Sequence, residues 1–337
     1  MSKTPTLSAS GVTPAATEVV RTAEYVSPRH PDKLADRISD AILDAYLKED
    51  PYSRVAVDVA GGHGTIFIVG EVTSSATSVN PVAIAHRIVG PQSTGEPYEV
   101  ITRIVAQSPE IAQGVDTGGA GDQGIMVGYA TSETPDFLPL EYVLARNLNR
   151  ALYKQWPFDG KTQVTVRGGV VEAVVASFQH APTTLLKKAV QAWLASEPLA
   201  IIQSLPLLHI NPAGDWDAGD FDADSGLTGR KLAVDNYGPR VPVGGGAFSG
   251  KDGTKVDRSG AYIARKIAVD YLRQRNASEV FVHLAYAIGH PEPVEATVTI
   301  DGTQEPILGY DLTPGGIITA LRLREPIYED KATNGHF

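Results

Sequence analysis

The residues best suited to chemistry stand in a glycine-rich stretch from Gly244 to Asp252, followed by Lys255 and Asp257. Three consecutive glycines and a fourth before Lys251 keep backbone N–H groups accessible, because glycine has no side chain to shield them. Accessible N–H groups with lysines beside them favour a polyphosphate ligand. The stretch also contains G-x-x-x-x-G-K, but Asp252 stands where a P-loop has Ser or Thr, and no apolar strand precedes it. It therefore predicts an anion site other than a P-loop, or else an ordinary glycine-rich surface loop.

A second candidate site lies at the start of a predicted helix. Apolar residues recur every four positions after Pro31, which suits the first helical position, and Pro51 ends the pattern. His30, Asp32 and Lys33 would then cluster at the helix N-terminus, where free N–H groups and the helix dipole favour an anion. The alternative interpretation is a capping turn with a solvated histidine.

Two further glycine-punctuated loops carry charged side chains. The segment 118–124 holds Asp122 among glycines, and the segment 211–231 holds Asp224 and ends on basic residues that include Arg230. Loops of both signs suit a charged ligand that has phosphate together with hydroxyl or amine groups.

These loops separate elements that repeat along the chain. Alternating strands near residues 55–71, a second hairpin and helix within 163–196, and a third helix and strand pair within 259–300 follow one pattern. The pattern predicts an α+β fold of three similar subdomains. Asp58 and Glu71 in the first hairpin are either solvent-facing or site residues.

Composition limits the remaining possibilities. The 337 residues are 42% hydrophobic and carry a net charge of −10, with no cysteine. Thiolate metal sites, disulfides and cysteine nucleophiles are excluded, and the acidic balance argues against nucleic acid or an anionic membrane as a partner. Residues 1–20 lack a secretory pattern and predict a disordered tail, so we expect a cytoplasmic protein.

Four ordered motifs resemble those of the S-adenosylmethionine synthetase (methionine adenosyltransferase) family. They are HPDK at 30–33, GAGDQG at 119–124, GLTGRK at 226–231, and GGGAFSGKD at 244–252 followed by KVDRS at 255–259. The resemblance implies three α+β subdomains related by pseudo-threefold symmetry, which we expect at 21–108, 118–229 and 230–337. It also implies a homodimer or homotetramer with active sites at the dimer interface.

The resemblance further implies a reaction. The sulfur of L-methionine attacks C5′ of ATP and displaces triphosphate, which the same site cleaves to pyrophosphate and phosphate. The positions that match catalytic or phosphate-binding residues of the family are His30, Lys161, Arg230, Lys251 and Lys255. Those that match its substrate contacts are Glu71, Gln107, Asp122, Asp159, Trp216, Asp224, Lys231 and Ala247. Candidate Mg²⁺ ligands are Glu24, Asp32 and Asp257, and Asp58 falls where the family usually has a K⁺-binding glutamate.

The chain also departs from the family pattern. Pro28-Arg29 replace the usual Glu-Gly, Asp215-Trp216 replace the usual Arg-Phe, and the segment between Asp116 and Gly119 is several residues shorter. Family members typically continue some tens of residues beyond Phe337. The alternative to an active synthetase is a weakly active member of the family that serves as a binding or regulatory subunit.

Overall fold

The structure, a computed structural model, describes residues 19–106 and 118–337. Most of the predicted tail, residues 1–18, lies outside the described residues. So do Gln107 and most of the shortened segment that follows it.

Residues 19–106 and 118–337 form nine helices and twelve strands. The helices are α1 (Pro31–Glu49), α2 (Pro81–Val89), α3 (Leu140–Tyr153), α4 (Thr183–Ser196), α5 (Asp220–Ala223), α6 (Leu232–Asp235), α7 (Val256–Arg275), α8 (Pro314–Leu321) and α9 (Tyr328–Asn334). The strands are β1 (Val20–Val26), β2 (Arg54–Gly62), β3 (Thr65–Thr73), β4 (Glu99–Val105), β5 (Gly124–Thr131), β6 (Gly160–Arg167), β7 (Val170–Phe178), β8 (Leu207–Ile210), β9 (Gly226–Leu227), β10 (Glu279–Tyr286), β11 (Glu295–Ile300) and β12 (Thr303–Pro306).

The strands form three four-stranded sheets with the orders β4-β3-β2-β9, β1-β6-β7-β8 and β12-β11-β10-β5. Each sheet is built on an antiparallel hairpin: β2 with β3, β6 with β7, or β10 with β11. The first strand of each hairpin also pairs with a strand from a distant part of the chain: β9 on β2, β1 on β6, and β5 on β10. The three sheets therefore exchange strands in a cycle, and this exchange brings loops of different subdomains together.

One main helix covers a face of each sheet. Helix α1 packs on β2, α3 on β1 and β6, and α7 on β5 and β10. The apolar stripe of α1, which includes Ile38 and Ile42, meets the inward-facing Val55, Val57 and Val59 of β2. The sheets under α1 and α7 share one core, whereas the sheet under α3 has its own.

The predicted α+β fold of three similar units is confirmed. Helix α1 begins at Pro31 and ends before Pro51 as predicted, and α4 spans the predicted residues Thr183–Ser196. The periodic pattern missed β1, α2 and α3, and it missed every strand exchanged between sheets. Within residues 19–106 and 118–337, no helix is long and apolar enough to cross a bilayer.

Candidate active site

His30 caps the N-terminus of α1 and is buried. Its Nδ1 accepts a hydrogen bond of 3.2 Å from the backbone N–H of Asp32. Burial and the charges of Lys231 and Lys161 lower the pKa of His30 to about 3, although Asp32 opposes the shift. The imidazole is therefore neutral at physiological pH, and because Nδ1 accepts, the proton resides on Nε2, which can donate to a ligand.

Asp32 joins the start of α1 to the loop at 226–231. Its Oδ1 accepts from the backbone N–H of Leu227 at 3.0 Å, and its Oδ2 accepts from Lys231 Nζ at 2.5 Å. Arg230 Nε lies 3.3 Å from Oδ1. Burial alone would raise the pKa of Asp32, but the hydrogen bonds from Lys231 and Leu227 lower it. The loop approaches closely because residue 226 is glycine: a Cβ there would fall 2.2 Å from the carbonyl carbon of Pro31.

The glycine-rich stretch that the sequence singled out passes over the start of α7. A Cβ on Gly246 would fall 2.3 Å from Oδ1 of Asp257, so a larger residue at this crossing would displace the Asp257 side chain. Lys251 Nζ donates to Asp257 Oδ2 at 2.6 Å, and Lys255 pairs with Asp252. The predicted phosphate-binding lysines are thus held beside carboxylates.

Two buried ion pairs hold this arrangement in place. The sequence predicted the acidic partner of neither pair. Arg258 is fully buried and forms two parallel hydrogen bonds with Asp40 of α1, at 2.6 and 2.8 Å. Lys33 donates to Asp235 at 2.6 Å. Lys33 is thus a structural cation, although it belongs to the HPDK motif. The only signal in the sequence was the charge of Lys33 and Asp40 on α1, seven positions apart, and such a spacing does not identify partners more than 200 residues away.

The central sheet contributes Lys161 and Asp159. Lys161 follows Gly160 on β6 and pairs in register with Val26, the last residue of β1. Asp159 is half-buried, and its Oδ1 has no hydrogen-bond partner. Burial and the charge of Asp220 raise the pKa of Asp159 to about 7, while Lys161 opposes the shift.

Other predicted substrate contacts lie on surrounding loops. Trp216 is half-buried, and its Nε1 donates to the Ser177 hydroxyl at 3.0 Å, which fixes the indole edge. Asp122 and Asp224 are exposed, and each accepts a hydrogen bond of 2.7 Å from the backbone N–H of the following residue. Ala247 packs against Gly229, where an added Cβ would lie 2.5 Å from the Ala247 Cβ. That contact joins the glycine-rich stretch to the 226–231 loop.

Three predicted residues lie on open sheet faces. Glu24 is exposed on β1 and shares a face with Lys161, because Glu24 pairs directly with Gln163. Asp58 of β2 and Glu71 of β3 share the outer face of the first sheet. Burial raises the pKa of Asp58, while Lys251 opposes the shift.

The predicted Mg²⁺ ligands Glu24, Asp32 and Asp257 lie on separate elements, β1, α1 and α7. Among residues 19–106 and 118–337, no group of three His, Asp or Glu side chains gathers at metal-binding distance. Both oxygens of Asp32 already accept hydrogen bonds, whereas Asp257 has Oδ1 turned toward the glycine-rich stretch. Because Mg²⁺ usually takes one or two carboxylates together with phosphate oxygens and water, this set fits such an ion only when a phosphate ligand supplies the rest.

The cation cluster is an open surface of the single chain. A cavity of about 870 Å³ lies beside Gly244, but its lining, which includes Ile125, Val127 and Phe281, is mostly apolar. The lysines that surround the glycine-rich stretch do not line that cavity. We take the cations as the candidate site, because fixed positive charges suit a polyanion and the described lining of the cavity includes no Lys, Arg, Asp or Glu.

A glycine-rich stretch that carries lysines, in contact with a basic loop at a helix N-terminus capped by a neutral histidine, is typical of an enzyme that handles a polyanion. Comparisons with known proteins identify the family. Models of the S-adenosylmethionine synthetase N-terminal, central and C-terminal domains match residues 18–109, 117–216 and 218–337. The chain therefore belongs to the S-adenosylmethionine synthetase family.

Curated relatives agree over nearly the whole length. The S-adenosylmethionine synthases of Desulforudis audaxviator and Zymomonas mobilis are 41% and 42% identical, each over 94% of this chain and 92% of the relative. That of Nocardia farcinica is 41% identical over the same shares. The predicted family, the three-subdomain architecture and the assignment to an enzyme class, methionine adenosyltransferase, are confirmed. The predicted boundary at residue 229 stays a prediction, as do the individual site residues.

Proposed function

We propose that this enzyme makes S-adenosylmethionine from ATP and L-methionine and then hydrolyses the displaced triphosphate to pyrophosphate and phosphate. The observation that carries the proposal is a pair of contacting loops that both present cations. Arg230 and Lys231 pair with Asp32 beside the neutral His30. Lys251 and Lys255 lie on or just after the glycine-rich stretch, which meets that loop where Ala247 packs against Gly229.

The chemistry suits this set of residues. A sulfur lone pair of methionine forms the bond to C5′, and the C5′–O bond breaks with its electron pair on the triphosphate oxygen. The sulfur is already a good nucleophile, so the chain does not have to supply a base. The leaving group carries about four negative charges, so electrostatic stabilisation by fixed cations dominates the rate. His30 Nε2–H is suited to donate a hydrogen bond to the departing oxygen.

Ligand binding exchanges ion pairs. Phosphate oxygens would replace Asp257 and Asp252 as the partners of Lys251 and Lys255. Asp257 and Asp32, with Glu24, would hold Mg²⁺, which neutralises phosphate charge when bound. Asp58 would hold K⁺. Asp159 and Asp224 would accept hydrogen bonds from substrate hydroxyl or amine groups, with Trp216 against the base.

We propose an active dimer whose site is completed by the second subunit, either alone or paired as a tetramer. The outer face of the first sheet exposes Phe67, Val69, Ile101, Val105 and Leu227, each 42–51% exposed, in one continuous register. An apolar sheet face of this size is typical of a protein interface. Asp58 and Glu71 lie on the same face, so its burial would also enclose these two candidate site residues.

The other predicted partners follow from the same proposal. ATP and L-methionine are the small-molecule substrates, while nucleic acid and membranes are not partners. A cytoplasmic location fits a substrate pair of this kind.

A coupled assay tests the proposal. Purified protein is mixed with ATP, L-methionine, Mg²⁺ and K⁺, and S-adenosylmethionine, triphosphate, pyrophosphate and phosphate are followed separately. We expect one S-adenosylmethionine per ATP, with phosphate and pyrophosphate in equal amounts. Binding of ATP and methionine without any product would instead support the weakly active binding or regulatory subunit.

A further inference from the structure

Arg29 immediately precedes His30, and its guanidinium faces acceptors from two other segments. Nε donates to Asp220 Oδ2 at 2.9 Å, and Nη2 donates to the same oxygen. Nη1 donates to the backbone carbonyls of Val89 at 3.1 Å and Ile88 at 3.4 Å. These carbonyls end helix α2, where they lack helical partners and favour a cation. Arg29 therefore ties the turn before α1 to α2 and to α5.

The segment that Arg29 contacts has a constrained backbone. Asp220 adopts φ of +55°, which is unfavourable for a residue with a side chain and persists only where the surroundings hold it. Asp222 contributes by accepting from the Tyr98 hydroxyl and, at 2.6 Å, from the backbone N–H of Ser93. Arg29 and Asp222 together fix α5.

The same segment lies against Asp159. A Cβ on Gly219 would fall 3.1 Å from the Asp159 Cβ, and Asp159 and Asp220 each have a buried oxygen without a hydrogen-bond partner. On the other side, the backbone N–H of Ser27 in the Arg29 turn donates to the Gly160 carbonyl at 2.8 Å. The turn, α5 and Asp159 thus form one closed set of contacts.

The charged groups in this set shift one another's pKa values. Burial and Asp220 raise the pKa of Asp159, and Lys161 lowers it. Burial also raises the pKa of Asp220, and Arg29 is the main group that lowers it. Other titratable groups that face Asp220 are those of Tyr98, Tyr153, His180 and Asp222.

We propose that Arg29 and Asp220 are a positioning pair that holds the His30 turn against the loop carrying Trp216 and sets the charge that Asp159 presents to ATP. The proposal rests on the proposed function of this site. The family normally has glycine at the position of Arg29, so the pair is a feature that the family resemblance does not supply.

Two single variants and a control test the pair. Arg29→Ala removes the cation, and Asp220→Asn removes the anion while keeping a side chain that tolerates positive φ. The matched control is Arg275→Ala, which breaks the exposed ion pair with Glu305 on the distant edge of the third sheet. Calorimetric titration with ATP in the absence of methionine gives the affinity, and carbon-13 NMR of the ligand-free protein follows the carboxyl of Asp159 against pH.

The two halves of the pair have opposite effects on Asp159. Arg29→Ala should move the titration of the Asp159–Asp220 pair up by about 1 pH unit, because loss of the cation raises the proton affinity of the two coupled carboxyls together. Asp220→Asn should move the titration midpoint of Asp159 down by about the same amount. We expect Arg29→Ala to weaken ATP binding about tenfold, equivalent to about 1.4 kcal/mol, and Arg275→Ala to change neither quantity.

The proposed positioning role would be overturned if the titration midpoint moved in the same direction in both variants. It would also be overturned if the midpoint did not move and the ATP affinity were unchanged. A merely structural role would lower folded protein yield without shifting the midpoint in opposite directions. If Arg29→Ala does not fold, Asp220→Asn alone still decides, because the midpoint must fall. Failure of the wild-type protein to make S-adenosylmethionine would refute the proposed function instead, since the ligand-free titration of Asp159 does not depend on turnover.

Discussion

Replacing Asp159 by asparagine should stabilise the protein at alkaline pH and have little effect near pH 4. The folded-state pKa of Asp159 is about 7, above its ordinary value of 3.8. Between these values the folded protein binds the proton more tightly than the unfolded chain does, so stability falls as pH rises through this window. At about 1.4 kcal/mol per pH unit, the ionised Asp159 lowers the unfolding free energy at pH 8 by at most about 4 kcal/mol. We expect about 2 kcal/mol, because the residue is partly exposed and solvent screens its charge.

Thermal unfolding of ligand-free protein at pH 4.5 and pH 8, at one scan rate, measures the effect. For a chain of this length about 2 kcal/mol corresponds to a rise in Tm of roughly 2–6 °C at pH 8, with a much smaller change at pH 4.5. Asp122→Asn, which neutralises an exposed carboxylate on a glycine-rich loop, is the control and should behave like wild type at both pH values. An equal Tm shift at both pH values, or destabilisation at pH 8, would refute the reasoning about Asp159.

Three further predictions concern the frame and the assembly. Arg258→Met should lower the unfolding free energy by about 3–5 kcal/mol, because it leaves the buried Asp40 charge unpaired. Chemical denaturation measures this loss, and a loss below about 1 kcal/mol would contradict the prediction. Val69→Lys should convert the dimer to an inactive monomer, because it places a charge on the apolar sheet face. Light scattering and the turnover assay measure this, and a fully active monomer would contradict the proposed dimer. EDTA should abolish turnover, and full activity in EDTA would contradict the metal assignment. K⁺ should stimulate turnover only weakly, since Asp58 is one methylene shorter than the usual glutamate.

The sequence predicted the parts of the fold that depend on local periodicity. Helix α1 follows from its spacing of apolar residues between Pro31 and Pro51, and α4 from the same kind of pattern. The exchange of β1, β5 and β9 between sheets could not be predicted, because pairing between strands more than 100 residues apart leaves no periodic signal. Helix α3 was missed as well, although its buried face packs against β1.

The candidate site likewise has a part that the sequence predicted and a part that it could not predict. Glycines and lysines at 244–255 predict an anion site because residue type and spacing favour that chemistry, and this assignment stays a prediction. The fixed geometry depends on Asp40 beneath Arg258 and on Asp235 beside Lys33, which are distant in sequence. The Arg29–Asp220 contact belongs to this second kind, and only the fold reveals it.

The central claim is that Lys251 and Lys255 stabilise the triphosphate leaving group. Single-turnover formation of S-adenosylmethionine from saturating ATP and methionine tests it most directly, in wild type, Lys251→Ala, Lys255→Ala and the control Arg275→Ala. The account predicts a fall of about 100-fold or more in each lysine variant, as for loss of one transition-state donor, and wild-type rates in the control. Near-normal rates in both lysine variants, with correctly folded protein, would contradict it.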